Sequence, residues 1–152
     1  MTTISEENIA EMVSAAQNIA TDSTAMRQKM IDIEKKLRPI FQTAGIEFHH
    51  PTHSWAHYEN VGLFVDRDGY ECRSLIIEKR DGRWALAIHT ENEDEGIDKN
   101  ISFAEARRDD LIESVKRMPD FLVAYYEEIG YCSARFADLR KKAEAMKAIV
   151  EG

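Results

Sequence analysis

Cysteine is scarce in this 152-residue chain: only Cys72 and Cys132 occur, with no CxxC pair. That excludes a disulfide framework or an all-thiolate zinc site, and the two read as small buried hydrophobes. The seven glycines are scattered, so there is no Walker A loop, no G-x-G-x-x-G and no G-x-S-x-G. Phosphate-loop, dinucleotide and nucleophile-elbow chemistry therefore have no signature. No apolar run approaches the ~18 residues of a membrane span. The first residues, MTTISEENIAEMV, carry acids where a secretion signal has a basic region, so the expected location is the cytoplasm. Bases are outnumbered, 20 Lys and Arg against 28 Asp and Glu. That deficit argues against a broad nucleic-acid surface. The clusters Arg107-Arg108 and Arg140-Lys141-Lys142 are interleaved with acids and read as solvated helix faces.

The chain that remains is 43% hydrophobic and 32% charged. It is long enough for one domain, 1–152, with a real core, and too apolar for disorder. Its net charge of −8 is uneven: residues 91–98, ENEDEGID, hold five acids and no base. Residues 99–152 balance ten of each sign. The segment 91–98 reads as an open, self-repelling loop. It does not fit the D-x-[DN]-x-[DN]-G calcium pattern, because Glu91, Glu93 and Glu95 replace the short acids.

Hydrophobic spacing predicts an α+β fold with long terminal helices. Ile9, Met12, Ala16, Ile19, Ser23, Met26, Met30, Ile33, Leu37, Ile40 and Ala44 alternate by three and four, the heptad pattern of a coiled-coil seam over 5–44. Ser5 is the expected N-cap and Gly45 the stop. Thr21-Asp22-Ser23-Thr24 is the weak point, and Pro39 is expected to kink or end the helix near Arg38. A second helix is expected over 102–118, with Ser102 as its cap and Glu105 completing a capping box. After Pro119 a third is expected over 120–150, with Leu122, Tyr125, Ile129, Cys132, Phe136, Leu139, Ala143, Met146 and Val150 on its seam. Such helices outrun a small sheet, so they should pair with each other or with another copy, as a homo-oligomer.

The middle, 58–90, predicts a three-stranded antiparallel meander of runs 58–65, 70–79 and 83–90. The tripeptide Arg-Asp-Gly recurs at 67–69 and 80–82, each a candidate three-residue hairpin loop with Gly in the left-handed region. Those loops would pair Asp66 with Tyr70 and Lys79 with Arg83. Arg73, Glu71 and His89 would then share one sheet face.

Four of the five histidines fall in HHPTHSWAH: His49, His50, His53 and His57. Imidazole is the commonest ligand for zinc, copper and nickel, so this is the one candidate site for a divalent metal, and no other cofactor is expected. The segment is not H-E-x-x-H, and its single H-x-T lacks the partner a two-motif phosphoesterase needs. Pro51 favours a loop, with Trp55 and Tyr58 folding it onto the core. Arg73 and His89, with His53, His57, Trp55 and Tyr58, are the candidate residues for a small anionic ligand, with hydrolytic chemistry as an extension. No catalytic residue is nominated. The leading expectation is a non-enzymatic oligomeric binding protein that meets a protein partner, an adaptor, regulator or inhibitor of the kind mobile elements encode. Membrane and nucleic acid are not expected partners.

Overall fold

Ser5 starts the first helix by exchanging bonds with Asn8. Its hydroxyl accepts the Asn8 N–H at 3.1 Å, and Asn8 Oδ1 accepts the Ser5 N–H at 3.1 Å. Glu6 and Glu7 in the first turn suit the positive end of the helix dipole. In a computed structural model this helix, α1, runs over Glu6–Ala44 and is followed by β1 (Phe48–Tyr58), β2 (Tyr70–Arg80), β3 (Arg83–Asn92), β4 (Ile97–Ile101) and α2 (Arg108–Glu151). The structure describes residues 3–58, 70–92 and 95–152, with the backbone alone described at 50–54, 56–58 and 70–71. The expected strand 58–65 and turn 67–69 lie almost wholly outside the described residues.

Neither expected break in α1 occurs. The helix passes through 21–24, where Thr24 Oγ1 donates back to the Ala20 carbonyl at 3.0 Å instead of opening the turn. It also continues through Pro39 to Gly45, which takes the left-handed conformation (φ 60°) and donates to the Phe41 carbonyl at 3.0 Å. A helical proline costs about 3 kcal/mol. The turn beyond it carries Phe41, fully buried and edge-on to Tyr125 with ring centroids 5.5 Å apart. Burying a side chain of that size returns about 1.5–3 kcal/mol, and the ring contact adds to it, so continuation is favoured.

The C-terminal part differs from expectation in the same sense. One helix runs straight through Pro119, which is flanked by buried Met118 and Phe121. Ser102 is not its cap. The Ser102 carbonyl instead accepts the N–H groups of Glu105 and Ala106, closing a tight turn that buries Phe103 and Ala106. The helix starts later, at Arg108, with no side-chain cap. Arg27 of α1 stabilises this turn from outside: Nη1 donates to the carbonyls of Phe103 (2.8 Å), Ala104 (3.3 Å) and Ala106 (2.7 Å).

Among the described residues the sheet has four antiparallel strands in the order β1-β2-β3-β4, where three were expected. The His-rich segment is edge strand β1 rather than a loop. Its pairing shifts between His49 and Ser54, the stretch that contains Pro51. An edge strand tolerates a proline because the missing N–H faces away from the ladder. The acidic segment is also mostly strand: β3 extends to Asn92, which pairs with Ile97 at the start of β4. Glu95 N–H caps the connection by donating to Asn92 Oδ1 at 3.2 Å.

The β2–β3 turn has two residues, not three. Asp81 (φ 51°) and Gly82 (φ 77°) both take positive φ, as the twist-matched hairpin turn requires. Arg80 therefore pairs with Arg83, and the whole register moves by one residue from the expected one. This places Leu75 and Ile77 on the same face as Leu86 and Ile88. That face, with Phe48 and Trp55 of β1, joins Met30 and Phe41 of α1 and Leu111, Met118, Phe121 and Tyr125 of α2 in one hydrophobic core.

Candidate functional site

The one-residue shift in register separates two of the residues nominated from sequence. Arg73 pairs with Thr90 and points into the core, whereas His89 pairs with Ser74 and lies on the opposite face. The expected convergence of Arg73 and His89 is therefore not formed.

Arg73 sits with Asp110, each side chain 2% exposed, in a buried ion pair at 3.3 Å. Asp110 Oδ1 also accepts the Trp55 indole N–H at 3.2 Å, and Arg73 Nε reaches Thr90 Oγ1 at 3.4 Å. Arg117 lies over the Trp55 ring, 5.4 Å from its centroid. Three elements thus meet on one carboxylate: β1 through Trp55, β2 through Arg73, and the first turn of α2, where Asp110 also favours the helix dipole. With the ligand-like guanidinium enclosed, this cluster ties the sheet to α2. Asp110 was not singled out from sequence, because Arg107-Arg108-Asp109-Asp110 reads as a solvated charge run. The available signal was Trp55, a buried indole that needs an acceptor.

His89 belongs to a closed polar ring on the other face. Arg80 is ion-paired with Glu78, Asn100 Nδ2 donates to Glu78 Oε1 at 3.2 Å, and Asn100 Oδ1 lies 2.7 Å from His89 Nδ1. His89 Nε2 is 3.5 Å from Asp98 Oδ1, which accepts from Arg80 Nη2 at 2.8 Å. Because Glu78 can only accept from Asn100, the amide orientation is set, and His89 Nδ1 must carry its proton. Hydrogen bonds from Arg80 hold Asp98 below the usual carboxylate range, and those carboxylates in turn raise Arg80. The ring straps β2, β3 and β4 together and uses its donors and acceptors internally.

Beside this ring lies a groove of about 820 Å³ between α1 (Ile31, Glu34, Lys35, Arg38) and the hairpin (Glu78, Arg83, Ala85, Ala87). Its basic and acidic groups are balanced, and Arg38 is ion-paired with buried Glu34. No excess charge is left for an anion.

Of the metal candidates, His49 is exposed, and the side chains of His50, His53 and His57 lie outside the described residues, as does that of Tyr58. Among the described residues no group of three His, Cys, Asp or Glu could hold a metal ion. Cys72 is exposed, while Cys132 is buried, its thiol pushed up by burial and by its hydrogen bond to Glu128.

The largest uncovered feature is helical. Arg27 touches the turn that leads into α2, and Phe41 touches Tyr125, so α1 and α2 run side by side in the same sense. Each then extends beyond the sheet, α1 at its N-terminal end and α2 at its C-terminal end. Residues 6–22 and 133–151 are exposed throughout. Both arms expose their heptad seams: Ile9, Met12 and Ile19 are 50–57% exposed, and Phe136, Leu139 and Met146 are 42–62% exposed. No helix among the described residues is long and apolar enough to cross a membrane. A scan against protein-family models and searches of the curated proteins and of the solved structures return no match.

Proposed function

We propose that this is a non-enzymatic binding protein that works through protein–protein contacts made by its two helical arms. The α+β body is the mount that fixes where the arms begin and which way they point. The supporting observation is the pair of apolar seams on 6–22 and 133–151. A lone helix of about 20 residues is marginal in water, and its stability in proteins comes from packing an amphipathic face. Six large seam residues, at about 1.5–3 kcal/mol each on full burial, offer on the order of 10 kcal/mol to a partner before ordering costs. Among the described residues, the buried ion pair and the polar ring spend their donors and acceptors on one another, which supports reading the protein as a binding module.

Photo-cross-linking in the cells that make the protein tests this reading. A photoreactive residue at Met12 or Phe136 should give protein adducts, and one at exposed Lys99 on β4 should not. No adduct at either arm position would overturn it.

A further inference from the structure

Resting on that reading of the arms, we infer that their partner is a second copy of this chain, joined head to tail. The N-terminal arm of one copy lies along the C-terminal arm of the next, with both helices running in the same sense. Geometry rules out pairing within one chain, because the two arms leave the body at opposite ends.

Charge rules against pairing like with like. The N-terminal arm, 6–22, carries Glu6, Glu7, Glu11 and Asp22 and no base, net −4. The C-terminal arm, 133–151, carries five bases and three acids, net +2. Its three acids are ion-paired within the helix with Arg140, Lys142 and Lys147, which leaves Arg135 and Lys141 as the arm's excess bases. Two C-terminal arms would bring those bases together, and two N-terminal arms would oppose acids. Unlike arms set basic stems against a small, neutral-to-acidic flank.

The seams also fit in register. Parallel helices pair equivalent heptad positions. Aligning the two arms over their full length places Met12 on Leu139, Ala16 on Ala143 and Ile19 on Met146. Ile9 likewise falls on Phe136, so four layers match small with small and large with large, and only the last sets small Ser23 against Val150. The same alignment continues a contact already present inside the chain. Within the body, α1 lies along the first part of the α2 seam at Tyr125. The incoming N-terminal arm takes up that seam where α1 ends. Such a junction is heterologous and does not close on itself in two copies. At ~1.5 Å per residue it gives a straight assembly with a repeat of roughly 65 Å.

Complementary variants test this. Met12→Asp with Ile19→Asp breaks one arm, and Leu139→Asp with Met146→Asp breaks the other. Wild type should scatter light with a mass that grows with concentration beyond two chains. Each double variant alone should remain at one chain, and an equimolar mixture should give two chains and no more. If either variant alone forms dimers, or the mixture stays at one chain, the head-to-tail junction is wrong. Cysteine placement gives a second readout in a Cys72→Ser, Cys132→Ser background. Ala16→Cys together with Ala143→Cys should oxidise to a ladder of linked chains. Either single variant forming disulfide dimers, or no ladder from the pair, would overturn the proposal. If wild type scatters as one chain while cells yield arm adducts with a different protein, the second-copy inference fails and the reading of the arms as binding surfaces stands. An absence of adducts in cells removes that reading instead.

Discussion

Met12 and Met30 lie on the same stripe of α1, yet one is 52% exposed and the other 3%. The same contrast holds on the α2 seam between Tyr125, 6% exposed, and Phe136, 61% exposed. One heptad pattern therefore serves two environments. Where it crosses the sheet it builds a core, and where it leaves the sheet it becomes an exposed surface. Sequence periodicity cannot separate these roles, because what differs is the element opposite the helix.

The largest expected effect is in the body. Asp110→Ala leaves the Arg73 guanidinium and the Trp55 indole in the core without their shared acceptor, and should cost about 3–5 kcal/mol. A fall in the urea midpoint with unchanged slope would show it. The double substitution Arg73→Met, Asp110→Leu should recover the part of that loss due to the unpaired guanidinium, while the Trp55 indole still lacks its acceptor. Phe121→Ala should cost about 3–5 kcal/mol by opening a cavity, whereas Phe136→Ala in a dilute sample should stay within about 0.5 kcal/mol. Equal losses at these two positions would break the distinction between body and arm. Gly82→Ala should cost about 1 kcal/mol, because φ of 77° strains any L side chain although the space around it is open.

The smallest effect is set by pH. Asp98 ionises more readily in the folded chain than in the unfolded one because Arg80 bonds it. Its contribution is therefore present above the ordinary carboxylate value and is lost as pH falls through the lowered one. Melting followed from about pH 5 to about pH 2 should show a slightly shallower decline in Arg80→Gln than in wild type. The difference should shrink further in salt, because Asp98 is exposed.

Much of the helical framework could be read from the residues. The Ser5 cap, the Gly45 stop and both heptad seams follow from local chemistry, and local chemistry is what a single sequence displays. The sheet was harder to read. Pro51 and the register shift it accompanies interrupt the alternation of β1. On β4, Ile97, Lys99 and Ile101 share one face, but the acids before them obscured a strand of only five residues. The Arg-Asp-Gly tripeptide marks the β2–β3 turn but not its length, because Asp81 takes the left-handed conformation as Gly82 does. That single residue moved Arg73 and His89 to opposite faces and removed the nominated site. The Arg73–Asp110 pair spans 37 positions and depends on packing, so only the fold could reveal it.

Arg27 holds carbonyls that follow it by 76 to 79 positions in the chain. At synthesis rates of about 5–20 residues per second, some 4–16 s separate the making of α1 from the appearance of the turn it grips. Throughout that interval the arm half of the α1 stripe has no cover from its own chain, just as in the finished fold. A nascent copy therefore presents the same arm surface as a finished one, before its body has closed.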